Sequence, residues 1–253
     1  MSTESVTLPD LSSPYDVPAA KITEFRVNGH VMLPAVASPE EIAAWGPFIE
    51  DLAYAHADER PLDYAGMVTQ VQNLWCQDDR MRAYSLGERF GRIAADLLGV
   101  DAVRIYHDQA VFKEAAGAPT PFHQDGYYFP LDGHQALTMW MPLVPVTDEM
   151  GGSMTFASGS QRLGYLGNYE ISDETEAVLL EVAEREGLPM ETHGAMSPGD
   201  TTWHNGWTLH RAPANDTDQL RAVMTVIFYA DGLVGTEPQH EWHSKDYAKW
   251  LPG

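Results

Sequence analysis

The stretch His123-Gln124-Asp125-Gly126-Tyr127-Tyr128-Phe129-Pro130 decides how the rest of the chain is read. Side chains of an extended strand alternate between faces, so His123 and Asp125 offer an imidazole and a carboxylate on one side. Far downstream stands His210, within Trp207-Thr208-Leu209-His210-Arg211-Ala212-Pro213-Ala214-Asn215. Two histidines and one carboxylate are the facial ligand set of non-haem Fe(II) sites, which leaves coordination positions open. Arg221 follows eleven residues after His210 and opens an apolar run that ends at Tyr229. A fixed guanidinium beside a metal suits bidentate pairing with one end of a dicarboxylate cosubstrate.

A lone His-x-Asp is more often a hydrogen-bonded loop pair than a metal site. Here it belongs to an ordered set: His123-Gln124-Asp125, Trp140, Gly151-Gly152, Gly159-Ser160, Pro198-Gly199-Asp200, His210 and Arg221. From about Thr23 to Ala230 this set resembles the phytanoyl-CoA dioxygenase family, mostly Fe(II)- and 2-oxoglutarate-dependent hydroxylases. The resemblance implies a mainly β fold with flanking helices: a double-stranded β-helix (jelly-roll, cupin-like) core with the N-terminal helices outside. It implies Fe(II) held by His123, Asp125 and His210 as the catalytic centre. It further implies 2-oxoglutarate with its far carboxylate on Arg221 and with Thr138 and Trp140 beside it, and O₂ as the oxidant. The expected reaction hydroxylates an unactivated C–H of a small organic molecule, with release of succinate and CO₂, in specialised metabolism. Related halogenases carry a small residue in place of the carboxylate, so Asp125 favours hydroxylation over halogenation. Desaturation, epoxidation and ring formation stay open. In some relatives a hydroxyl two residues after the distal histidine touches the cosubstrate; here that position is Ala212.

The residues leave some choices open. His204, six positions before His210, is the rival third ligand; His193, His240 and His243 lack the context that surrounds His210. Between residues 114 and 244 the basic side chains are Arg162, Arg185, Arg211 and Arg221, and Arg221 alone opens a strand-like apolar run, where a charge needs a partner. Tyr127, Tyr128, Trp203 and Trp207 flank the ligand motifs and are candidates for an aromatic substrate pocket, although each also reads as core.

Composition narrows the classes. A chain of 253 residues is routine for one elaborated β domain. Its net charge of −22 argues against phosphate-backbone binding and, mildly, against anionic membranes and acyl-CoA substrates. Cys76 is the only cysteine, so no internal disulfide is expected and a reducing, cytoplasmic location is the default. No apolar run reaches membrane-span length and the first residues do not read as a signal peptide. Oligomeric state is not legible.

In chain order, residues 1–20 read as a polar tail. Gly29 to Leu33 reads as a strand. Ser38-Pro39-Glu40-Glu41 starts a helix that Pro47 should kink or restart. Residues 59–76 read as irregular or strand, and Asp79 to Leu98 as one amphipathic helix ended by Gly99. From Val100 the chain turns to β, with Ala102–Tyr106 and Gln109–Lys113 as separate strands. Ala136 to Val146, interrupted by Pro142 and Pro145, suggests a bent or edge strand. Residues 164–190 interrupt the β pattern with an acidic helix from Asp173 to Glu186, where a lid or entrance wall is expected. Thr201–Trp203 and Leu220–Tyr229 supply further strands, and residues 232–253 form a loop-rich tail with Trp242 and Trp250.

Two other classes fit parts of this pattern. A catalytically silent β-helix binding module would not need intact ligands. A cupin-type metalloenzyme independent of 2-oxoglutarate would leave Arg221 idle.

Overall fold

The computed structural model describes residues 8–57 and 68–244. Trp250 and most of the irregular stretch before Val68 lie outside these.

Among the described residues, ten strands form two antiparallel sheets. They are β1 (His30–Leu33), β2 (Val68–Gln72), β3 (Val103–Lys113), β4 (Thr120–His123), β5 (Ala136–Pro142), β6 (Thr155–Ala157), β7 (Met190–Thr192), β8 (Thr201–Asn205), β9 (His210–Ala212) and β10 (Arg221–Ala230). The major sheet has the order β1-β8-β5-β10-β3-β2 and the minor sheet β4-β9-β6-β7. This is a double-stranded β-helix. The near-continuous apolar sequence of β10 follows from burial on both faces. Ala222, Met224, Val226 and Phe228 enter the large core shared with the helices, whereas Val223 packs with Trp140, Met154 and Phe156 between the sheets. Arg221, Val223 and Thr225 therefore share the inner face.

The outer face is covered by α1 (Ala19–Asn28), α2 (Pro39–Ala57), α3 (Asp79–Ser85) and α4 (Glu88–Leu98). At the start of α2, Ser38 Oγ accepts from Glu41 N (3.2 Å) and Ser38 N donates to the Glu41 carboxylate (2.7 Å), a capping box. The helix does not restart at Pro47: α2 continues through it. Trp45, Ile49 and Ala53 stay buried on either side, and their packing outweighs the lost backbone bond. The helix expected over Asp79 to Leu98 is two helices. A Cβ at Gly87 would lie 3.0 Å from Tyr84 O and 3.1 Å from Leu11 Cβ, so the break makes room for the N-terminal segment. Buried Arg89 then pins that segment, donating to Ser13 O (2.8 Å), Val36 O (2.9 Å) and both oxygens of Glu41 (2.7 and 2.8 Å). Part of the expected tail is thus a strap held by hydrogen bonds to Arg89, followed by α1.

β3 is one strand of eleven residues, not two. A register shift against β10 beside Ile227 absorbs the irregularity. β5 is central, between β8 and β10, rather than an edge. Pro142 occupies its last position and the ladder resumes at once, with Leu143 N donating to Ala222 O at 2.9 Å.

In the 164–190 stretch, Ser172 caps α5 (Asp173–Arg185). Leu179 and Ala183 pack on Phe122, Ala157 and Leu209, so α5 backs the minor sheet from outside. No helix among the described residues is long and apolar enough to cross a membrane.

Candidate metal and cosubstrate site

His123 ends β4 and His210 opens β9, and the two are direct partners in the antiparallel ladder. Each ring is oriented by its own backbone. His123 Nδ1 lies 2.8 Å from Pro121 O, and His210 Nδ1 lies 2.9 Å from Thr208 O. A carbonyl only accepts, so both Nδ1 atoms carry a proton and Nε2 is the atom each ring can offer a metal. Past His123 the chain stays extended through Gln124 and then enters a 3₁₀ turn, Asp125–Tyr127. The alternation expected of a strand thus holds just far enough to bring Asp125 back to the same side. Asp125 Oδ1 lies 3.6 Å from His123 Nε2 and 3.7 Å from His210 Nε2. One ligand atom from each of the three residues falls within 4.8 Å of the others, an N₂O set suited to a divalent ion.

The turn depends on Gly126. Its N–H donates to Gly206 O at 2.7 Å, and a Cβ there would lie 2.8 Å from the Trp207 ring and 2.9 Å from Gly206 O. Gln124 Nε2 ties the same turn to Trp207 O (2.7 Å) and Gly164 O (2.9 Å).

The second oxygen of Asp125 is engaged elsewhere. Thr138 Oγ1 donates to Oδ2 at 2.6 Å, and His204 Nε2 lies 2.9 Å from the same atom. Burial opposes ionisation of Asp125, yet the surrounding histidines, His210 first, hold its carboxyl well below the usual range. Burial, then His204 and His123, push His210 down, so its imidazole is neutral, the form that binds a metal.

A second feature lies on the same inner face. Arg221 opens β10 and pairs in register with Lys113 at the end of β3. Both are buried, at 2% and 1% exposure. Arg221 Nε and Nη1 have no hydrogen-bond partner, and burial pushes its pKa down to about 10. Lys113 Nζ donates to Pro213 O (2.9 Å) and lies 3.5 Å from Ala212 O, at the end of the strand that carries His210 and just past it. Burial, then Arg221, push Lys113 down to about 7. A buried guanidinium facing a buried amine, with no carboxylate partner among the described residues, is costly unless a ligand brings negative charge. The site therefore fits both implied groups: two imidazoles with Nε2 facing one carboxylate for a metal, and an unsatisfied guanidinium for a carboxylate ligand.

The other expected residues divide. Trp140 is buried between the sheets with Phe156, Met154 and Val223. Thr138 spends its hydroxyl on Asp125. Tyr127 stacks on His240 (4.4 Å), and its carbonyl lies 2.9 Å from His240 Nε2 and 2.8 Å from His243 Nε2. The Tyr128 hydroxyl accepts from Ile171 N at 2.9 Å. Gly164, Leu166 and Ile171 thus bond to residues of the ligand turn. Trp203 corrects the sequence reading. It is fully buried in the helix-side core, because alternation along β8 turns it away from the face of Thr202 and His204. Trp207 packs over Gly126 and Gly133 as a wedge. The sequence reading missed Lys113, although Ala110 and Phe112 on the outer face already placed it with Arg221. It also missed the grip of His240 and His243 on Tyr127, which no local pattern announces.

Residues 25–223 match the phytanoyl-CoA dioxygenase (PhyH) family. Solved structures share the fold. The non-haem α-ketoglutarate-dependent carbocyclase SnoK of nogalamycin biosynthesis is 23% identical, with 92% of this chain and 93% of that chain covered and a TM-score of 0.77. The epimerase SnoN, in complex with Fe³⁺, α-ketoglutarate and nogalamycin RO, is 26% identical, with 86% and 85% covered and a TM-score of 0.72. EctD from S. alaskensis, with 2-oxoglutarate and 5-hydroxyectoine, is 22% identical, with 93% and 88% covered and a TM-score of 0.68. The family match spans most of the chain: the protein belongs to the phytanoyl-CoA dioxygenase family of Fe/2-oxoglutarate-dependent enzymes.

Proposed function

We propose that this chain is a single catalytic domain in which His123, Asp125 and His210 hold Fe(II), Arg221 and Lys113 anchor the far carboxylate of 2-oxoglutarate, and a small organic molecule is oxidised at a C–H bond. The observation that carries this reading is the buried Arg221–Lys113 pair, with no carboxylate partner among the described residues, beside two imidazoles and one carboxylate.

Bound iron with 2-oxoglutarate and O₂ would supply the oxidising power, with succinate and CO₂ as co-products. The chain itself supplies placement. Pro121 O and Thr208 O fix which nitrogen each histidine presents. Arg221, held at the start of a central strand, fixes the cosubstrate's far end, and Lys113 adds a second positive charge. Trp140 and Phe156 keep the space between the sheets apolar, which strengthens charge pairing there. Tyr127 and Tyr128, with residues 164–171, border the substrate's approach.

An intact Asp125 supports transfer of oxygen to carbon, hence hydroxylation, over halogenation. The likeness to a carbocyclase and an epimerase supports a second outcome, in which the same hydrogen removal ends in ring closure or inversion. Anaerobic addition of Fe(II) and 2-oxoglutarate tests the shared part. A visible metal-to-ligand charge-transfer band is expected in the wild type and a weakened one in Arg221→Ala. Iron uptake without a band would turn the assignment to a 2-oxoglutarate-independent metalloenzyme, and no iron uptake would turn it to a binding module.

A further inference from the structure

Asp125 is the one member of the proposed triad whose side chain is gripped by the opposite sheet. Thr138 on β5 and His204 on β8 are direct partners in the major-sheet ladder, and both meet the same oxygen, Oδ2. An ionised carboxylate only accepts, so the His204 proton sits on Nε2. His204 is 1% exposed and its Nδ1 has no partner, so this ring is held at Asp125 without any other hydrogen bond of its own. The rings of His204 and His210 stand 4.2 Å apart, which brings His204 close enough to be mistaken for a ligand, yet its Nε2 is committed to the carboxylate.

We infer that His204 and Thr138 are positioning residues that jointly occupy Asp125 Oδ2, so that Oδ1 alone is presented to the metal. This rests on the proposed assignment of His123, Asp125 and His210 as ligands. The chemical consequence is economy of coordination positions. A carboxylate that bound through both oxygens would fill a position that cosubstrate or O₂ needs. Two donors on Oδ2 lower its share of the negative charge and hold the carboxylate plane, so the site stays open on one side. Proteins orient metal ligands by such outer hydrogen bonds, and the loss of one typically weakens metal binding about 10–100-fold.

The test uses Co(II) as a spectroscopic stand-in, added anaerobically to metal-free full-length protein. Variants are His204→Phe, His204→Gln, Thr138→Val and Thr138→Ser. His204→Phe should weaken Co(II) binding by about 10–100-fold and change the intensity of its visible bands, because Oδ2 is released toward the ion. His204→Gln, which keeps a donor near the old Nε2, and Thr138→Ser should recover most of the affinity and the wild-type spectrum. Thr138→Val should reproduce the spectral change independently if His204→Phe fails to fold. Folded His204→Phe with wild-type affinity and spectrum would overturn the inference. Equal impairment of the Phe and Gln variants would do the same, since it would reduce His204 to packing. Wild-type protein that takes up no Co(II) would remove the ligand assignment beneath it, an outcome distinct from the other two.

Discussion

Lys113 and Arg221 stand opposite each other across the β3–β10 ladder, both buried, and no carboxylate of the described residues pairs with either. Like charges directly opposite in a sheet are destabilising, and burial deepens the cost. The arrangement makes sense as stability given up for an anionic ligand. Lys113→Met should therefore raise the melting temperature of the ligand-free protein by about 2–4 °C, while weakening 2-oxoglutarate binding. Arg221→Ala should weaken that binding by about 30-fold or more, the usual cost of removing one member of a buried charge contact. Thermal scans with and without 2-oxoglutarate read both effects. A Lys113→Met protein less stable without ligand would sink this account of the pair.

The same lysine makes cosubstrate binding depend on pH. Burial and Arg221 hold its pKa near 7, against about 10.4 for a free lysine. Between those values the unfolded chain binds the extra proton, so Lys113's contribution makes ligand-free stability rise with pH across that window. A bound carboxylate favours the charged amine, so 2-oxoglutarate binding above pH 7 takes up a proton. Affinity should fall by as much as about tenfold per pH unit as pH rises from 7 to 9. Dissociation constants at several pH values, for wild type and Lys113→Met, check this. The slope should vanish in the variant.

The candidate triad was legible through the resemblance carried by the whole ordered motif set, and Arg221 also because it is a charge opening an apolar run. The sequence reading misplaced Trp203 because closeness in sequence to His204 says nothing of face, and adjacent strand residues point oppositely. It fused α3 with α4 because the apolar stripe runs through Gly87, whereas the break is set by contact with Leu11, 76 positions away. The job of His204 was equally out of reach, since it depends on an oxygen delivered from the other sheet. Local pattern thus carries the elements and the reactive residues; contacts between distant segments decide where elements stop and what their polar residues hold.

Gly126 offers a steric test of the ligand turn. A Cβ there would press on the Trp207 ring at 2.8 Å and on Gly206 O at 2.9 Å, and the backbone oxygen has little room to yield. Gly126→Ala should cost about 1–3 kcal/mol of stability. It should also displace Asp125, which begins the same turn, and reduce metal affinity by more than about tenfold. Urea unfolding and Co(II) titration of one preparation measure both. An alanine variant with wild-type metal affinity would show that the turn is not needed to place the carboxylate.

His30 links the metal region to acid stability. Its ring stacks on Phe156 at 4.3 Å, and Phe156 in turn neighbours the rings of His204 (5.7 Å) and His210 (6.2 Å). His30 Nε2 lies 2.6 Å from Ser158 Oγ, which donates to Glu191 at 2.6 Å, while His30 Nδ1 lies 3.1 Å from His193 Nε2. This chain of bonds ties β1 of the major sheet to β7 of the minor one through Ser158, just past β6, with a neutral imidazole at its centre. Burial, then His193 and His204, push His30 down to about 3. In the unfolded chain it titrates near 6.5, so from there down to about pH 3 the unfolded state binds the extra proton. The stabilisation is whole above pH 6.5 and is lost as pH falls, by on the order of 5 kcal/mol over the window. His30→Gln keeps polar contacts but cannot titrate. It should be less stable than wild type at pH 7.5 and lose less stability between pH 6.5 and 4.5. Urea unfolding at three pH values decides the matter: parallel losses in both proteins would place the acid sensitivity elsewhere and leave His30 as packing for Phe156.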